Sequence, residues 1–134
     1  MEWKTEYATG IHNIDQQHRK ILEFLTQFEG LSAGSADPVE VHRLIARTRA
    51  FMEIHFCTEE ALMLLVPHTD SAVHRAEHRY VLENLADLED QSRLEVGKDE
   101  LLPLMRHLLF DHVLGSDRYF ARRALANWGE FTSR

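Results

Sequence analysis

A chain of 134 residues with a formal charge of −7 is one ordinary domain with an acidic surface, and such a surface repels phosphate, which disfavours nucleic acid as a partner. Apolar residues at 44% and charged residues at 28% fit a soluble globule, and the longest apolar runs, such as Ala61–Val66, are far too short to cross a bilayer. The sole cysteine, Cys57, excludes an internal disulfide, and Met1-Glu2-Trp3-Lys4 begins no secretory leader, so a cytoplasmic location is expected.

Residues 1–11 read as an irregular arm whose Trp3 and Tyr7 pack onto the helices. A first helix begins with Asn13 as its cap and Asp15 in its first turn, where the dipole favours an acid. Its apolar face runs Ile14, His18, Ile21, Leu22, Leu25, Phe28. Gly30 to Asp37 is a loop by composition. Asp37-Pro38-Val39-Glu40 predicts the next helix start, with a capping Asp, Pro in the first position and Glu in the third. Its face runs Val41, Leu44, Ile45, Thr48, Phe51, Met52, His55, Glu59, Leu62, Met63, Val66, and Pro67 ends it near Val66.

Thr69 or Asp70 caps a third helix with the face His74, His78, Val81, Leu82, Leu85, Leu88, closed by Val96-Gly97. Asp99 opens a fourth, with Pro103 near its start and the face Leu101, Met105, Leu108, Leu109, His112, Val113, Ser116, Phe120. Residues 128–134 read as a short tail, in which Trp128 and Phe131 cover the end of the bundle. Steps of three and four dominate throughout and no stretch alternates with period two. The expected fold is all-α, an antiparallel up-down-up-down four-helix bundle over residues 12–127 within a single domain, 1–134.

Every one of these apolar faces contains residues that do not belong in an apolar core. The chain has nine histidines, and His18, His55, His74, His78 and His112 fall on the buried stripes, with Glu59. Burying such groups unpaired costs several kcal/mol or neutralises them, and a shared metal satisfies all of them together. His55 and Glu59 are four residues apart, about 40° round a helix, so both reach one centre; His74 and His78 have the same relation. His112 and Asp117 are five apart, about 140° on an ideal helix, so they share a centre only if the helix widens between them, where Gly115 lies. Five histidines and two carboxylates are too many for one ion, and two metals sharing the carboxylates is the economical reading. Ligand type alone leaves iron, zinc, copper and nickel open. His12, His42, His68 and His107 read as surface or loop residues. Asp15, Gln17 and Glu60 are candidates to orient the ligand rings, and Cys57 points away from the centre.

In these residues the sequence resembles the hemerythrin family, specifically its small single-domain bacterial members, the bacteriohemerythrins. The likeness runs from Trp3 to about Phe120 and is carried by Gly10-Ile11-His12-Asn13-Ile14-Asp15-Gln16-Gln17-His18, by His55-Phe56-Cys57-Thr58-Glu59-Glu60 with Met63, by His74-Arg75-Ala76-Glu77-His78, and by His112-Val113-Leu114-Gly115-Ser116-Asp117. Where the family often has Trp, Phe and Tyr, this chain has Leu108, Val81 and Val66. The resemblance implies two iron ions with an oxo or hydroxo bridge. His74, His78 and His112 would hold one, His18 and His55 the other, and Glu59 and Asp117 would bridge them. One position then stays open on the iron with two histidines, where the family binds O2. Ile21, Leu22, Leu109 and Val113, next to ligands or one turn away, are the candidate pocket walls. The expected function is therefore a non-enzymatic O2 carrier, store or supplier, with O2 as its partner, NO or small anions as further ligands, and its protein partner left open. An O2, NO or redox sensor acting on a separate protein is the alternative. A di-iron oxidase or peroxidase is disfavoured, because ferritin-like sites use Glu-x-x-His pairs and none occurs here.

Overall fold

The computed structural model describes residues 2–32, 37–65, 71–91 and 98–132. A 3-10 turn, Thr5–Tyr7, precedes α1 (His12–Ser32), α2 (Pro38–Leu65), α3 (Ser71–Gln91) and α4 (Lys98–Met105). Two π-helical turns come next, Arg106–Phe110 and Val113–Asp117, and lead into α5 (Arg118–Thr132). Asp111 and His112, between the turns, keep right-handed helical angles, so residues 98–132 form one continuous fourth rod. The described residues are all-helical, without a strand. None of their helices is long and apolar enough to cross a membrane.

The start of α2 follows its sequence signal. The Val39 N–H donates to the Asp37 carboxylate at 3.0 Å, which satisfies a donor the first turn would otherwise leave free, and the Val41 N–H makes the first helical bond to the Asp37 carbonyl at 3.2 Å. The start of α1 differs from expectation. It begins at His12, so Asn13 lies inside the first turn, and Asp15 does the fastening instead. Its carboxylate accepts the Thr9 N–H at 2.7 Å, the Thr9 hydroxyl at 2.7 Å and the Gly10 N–H at 3.3 Å.

Several other boundaries move. Gly30 is helical, because α1 runs on to Ser32. Asp99 sits in the first turn of α4, which starts at Lys98, and Pro103 lies inside that helix, one turn in, where its missing N–H deprives a carbonyl of its donor. The residues read as a tail extend α5 to Thr132. The expected signals at Val66, Pro67, Thr69, Asp70, Val96 and Gly97 fall outside the described residues, as does His68.

The apolar faces are buried as their spacing requires. Ile14, Ile21, Leu22, Leu25 and Phe28 of α1 meet Val41, Leu44, Ile45 and Met52 of α2, Val81, Leu85 and Leu88 of α3, and Met105, Leu108, Leu109 and Val113 of the fourth rod. They form two clusters. The larger takes most of these; the smaller is Ile14, Met63, Phe120 and Ala124. The arm joins the larger one through edge-on contacts of Tyr7 with Trp3 and Phe110, at ring-centre distances of 5.7 and 5.5 Å, and the Arg19 guanidinium covers Trp3 at 4.8 Å. On α2, the Arg49 Nε donates to Glu89 at 2.5 Å and His42 Nδ1 to the Glu89 carbonyl at 3.0 Å, tying it to α3.

The two interrupting glycines behave oppositely. Gly10 has φ +91°, and a Cβ there would sit 3.0 Å from Leu125 Cδ1. Gly115 has an ordinary φ and open space around it. In thermal unfolding, Gly10→Ala is expected to cost about 1 kcal/mol or more, whereas Gly115→Ala is expected to be neutral or to stabilise by about 0.5–1 kcal/mol. A larger loss at Gly115 than at Gly10 would refute this.

Candidate metal centre

Along α1, α2 and the fourth rod the polar residues lie between the two apolar clusters. On α1, His18 stands between Ile14 and Ile21; on α2, His55 and Glu59 stand between Met52 and Met63; on the fourth rod, His112 and Asp117 stand between Leu109 and Phe120. His74 and His78 open α3 ahead of Val81. All seven are buried, with His18, His55, Glu59 and Asp117 at 0% exposure. The π turn at Val113–Asp117 supplies the widening that the five-residue spacing demands and swings Asp117 onto the face of His112. Gly115 lies in that turn but is not strained by it.

The structure brings all seven expected ligands together in two groups. Glu59, His74, His78, His112 and Asp117 offer ligand atoms within 4.8 Å of one another, and His18, His55 and Asp117 do the same. The shared residue is Asp117, and its two oxygens face different groups. Oδ1 lies 3.2 Å from His74 Nε2 and 2.7 Å from His112 Nε2; Oδ2 lies 2.7 Å from His18 Nε2 and 2.9 Å from His55 Nε2. Glu59 also straddles. Its Oε1 is 3.0 Å from His55 Nε2, 3.5 Å from His78 Nε2 and 3.6 Å from His112 Nε2, and its Oε2 is 3.6 Å from His74 Nε2. Every ring presents Nε2 inward.

These close approaches are not all hydrogen bonds. Both Glu59 oxygens, His78 Nε2 and His112 Nε2 are buried without an aligned hydrogen-bond partner among the described residues, although His112 Nε2 is only 2.7 Å from Asp117. Buried polar atoms are rarely left this way. Atoms that crowd together yet aim past one another fit cations set among them, and the donor set, all imidazole nitrogen and carboxylate oxygen, suits first-row metals. The residues present therefore fit a two-metal centre.

The electrostatics of the bare cluster point the same way. For His112, burial opposes the charged form, but attraction to Asp117 and then Glu59 outweighs it and raises the pKa to about 10. For His55, burial is likewise outweighed by the hydrogen bond to Asp117 and the adjacent Glu59 carboxylate, which raise it to about 9. Burial and the neighbouring Asp117 both push the Glu59 carboxyl up, yet the close inward nitrogens of His112, His55 and His78 hold it below its ordinary value. Asp117 is held well below its own, because His112, His18 and His55 overcome its burial. Burial takes the His78 imidazole down. Two imidazolium protons thus balance two carboxylates, in the place that metal ions would fill.

Around this set, the ring of His55 donates through Nδ1 to Gln17 Oε1 at 2.7 Å, and the Gln17 amide donates to Thr58 Oγ1 at 3.0 Å. Glu60 lies 3.8 Å from His78 Nδ1. Asp15, expected among these helpers, is engaged with the arm instead. Three contributors went unread in the sequence. Glu77 lies 3.8 Å from His112 Nδ1 and accepts a short hydrogen bond from the Ser116 hydroxyl. Phe56 stacks on His78 at 3.9 Å between ring centres and meets His112 edge-on at 5.1 Å. Their signal was adjacency, since Glu77 precedes one ligand, Ser116 another, and Phe56 comes directly after a third. Ile21, Leu22, Leu109 and Val113 are all buried in the larger apolar cluster. Cys57 is exposed, turned away from the centre as expected. His12 is exposed too, and His107 is exposed and pairs with Asp111 at 2.8 Å.

The family model described as the hemerythrin HHE cation binding domain matches residues 9–124. A bacteriohemerythrin of Stenotrophomonas maltophilia is 30% identical over 132 residues, covering 96% of this chain and 84% of that one. One from Pseudomonas aeruginosa is 27% identical over 118 residues, covering 86% and 75%. A hemerythrin-like protein of Naegleria gruberi is 24% identical over 115 residues, covering 86% of each. No solved structure matches the chain significantly.

Proposed function

This chain belongs to the hemerythrin family, and from that premise we propose that it binds O2 reversibly at a pair of iron ions, as a cytoplasmic carrier, store or supplier rather than an enzyme. The observation that carries the reading is the division of Asp117, one oxygen toward His74 and His112, the other toward His18 and His55. We assign His74, His78 and His112 to one iron, His18 and His55 to the other, and Glu59 and Asp117 to both. Bound there in reduced form, the two metals would supply the electrons that a bound small ligand takes up.

The protein's own part is to hold and enclose. Gln17, through its bond to His55, fixes the ring of the position with fewer histidines. Ile21, Leu22, Leu109 and Val113 are assigned as apolar walls that exclude water from the open position.

The whole chain is taken as one domain with its four rods antiparallel. The order of the clusters supports this. Along α1 the chain passes from the smaller cluster through the polar layer to the larger; α2 and the fourth rod pass the other way. The test of function is anaerobic reduction of the iron-loaded protein, then exposure to air. A visible charge-transfer band that appears with air and disappears under vacuum is expected. Rapid irreversible oxidation without that band would overturn the carrier reading.

A further inference from the structure

We infer that Glu60 and Glu77 make the two halves of the centre unequal, strengthening the grip of the His74–His78–His112 position and leaving the His18–His55 position the looser one. The inference rests on the two-metal reading above. It comes from the outward-facing Nδ1 atoms. On the three-histidine side, His78 Nδ1 faces the Glu60 carboxylate and His112 Nδ1 faces the Glu77 carboxylate, each at 3.8 Å. Ser116, in the π turn, steadies Glu77 by donating its hydroxyl to the same oxygen that faces His112. On the two-histidine side, His55 Nδ1 faces the neutral amide of Gln17; His18 Nδ1, like His78 Nδ1, has no hydrogen-bond partner among the described residues, but unlike it has no carboxylate within 4 Å among them.

A carboxylate behind an imidazole makes the inward nitrogen a stronger donor to a metal; loss of a directly hydrogen-bonded partner weakens metal binding about 10- to 100-fold, and Glu60 and Glu77, at 3.8 Å, act through charge alone, at the lower end of that range. A neutral amide orients a ring but adds no negative charge. Among the described residues the centre therefore carries two extra negative charges behind one position and none behind the other. Glu60 and Glu77 are 38% and 44% exposed, so water and salt reach them and their influence is open to screening.

The experiment is an anaerobic titration of the metal-free protein with Fe2+ against a chromophoric chelator, resolving two binding steps. Glu60→Gln and Glu77→Gln keep the shape and one acceptor oxygen and remove the charge. Each is expected to weaken the tighter step by about 10-fold and leave the weaker step within about twofold. The difference from wild type is expected to shrink in 1 M KCl, where the screening length falls to about 3 Å. Gln17→Leu is expected to move the weaker step alone. Unchanged helical content and melting of the metal-free variants separate the effect from misfolding. If both steps weaken together, if neither moves, or if salt leaves the difference intact, the inference fails. If wild type takes up fewer than two irons, it is the two-metal reading that fails.

Discussion

Replacing Asp117 by Ala is expected to empty both positions at once, leaving less than one iron per chain after full reconstitution. Asp117 is the one carboxylate shared by both clusters of potential ligands, and four of the five inward nitrogens lie within 3.2 Å of its oxygens. His18→Ala, by contrast, is expected to leave about one iron, held by the three-histidine group. Without metal, Asp117→Ala also strands the imidazolium of His112 in the interior. Breaking one side of a buried charge pair costs about 3–5 kcal/mol, so the variant should melt well below wild type. Asp117→Asn keeps the volume and guards against outright unfolding. Elemental analysis and thermal unfolding of the three variants check the expectation, and two irons retained in either Asp117 variant would refute the shared assignment.

The metal-free protein is expected to be most stable in mildly acidic solution, whereas the loaded protein keeps its stability into alkali. His55 and His112 have folded pKa values of about 9 and about 10, above the ordinary 6.5. Their contribution is complete below about 6.5 and is lost as pH rises toward 9–10, at up to about 1.4 kcal/mol per pH unit for each. Glu59 and Asp117 are shifted down, so their contribution is complete above the ordinary carboxylate range and is lost as pH falls below it. The lowered pKa of His78 works with them on the acid side, since the unfolded state takes up its proton first. Metal ligands must be deprotonated, so loading displaces the imidazolium protons and should abolish the alkaline decline. Melting curves between pH 4 and 10, with and without chelator, test this; a metal-free protein as stable at pH 10 as at pH 6 would contradict it.

Much of the fold and of the centre is legible in the residues alone. The four stripes are periodic enough to name, and the histidines stand out because each interrupts an apolar ladder. Asp117 is legible through a misfit, since its distance from His112 makes sense only on a widened helix. The first π turn, Arg106–Phe110, is not legible, because nothing in Arg106-His107-Leu108-Leu109-Phe110 is out of place on an α-helix. Phe56 escapes notice when a single ladder is drawn along α2, while a helix packed against α1 on one side and α3 on the other buries a broader face that includes it. Glu77 looks like a solvated surface residue and Ser116 like a small polar residue on the inner stripe, and only the approach of α3 to the fourth rod gives them a task. The ends of α1 and α5 run past their glycine and tail signals because helical propagation outweighs a weak local preference.

Met105, Leu109, Val113, Asp117 and Ala121 are all buried, each four positions beyond the last. On a uniform α-helix such a row would wander about 160° round the axis and leave the interior before its end. The two wide turns cancel that drift and keep the row on one meridian. The register of this rod is thus a count rather than a composition, and one residue gained or lost between Arg106 and Asp117 would rotate everything downstream, whatever its identity.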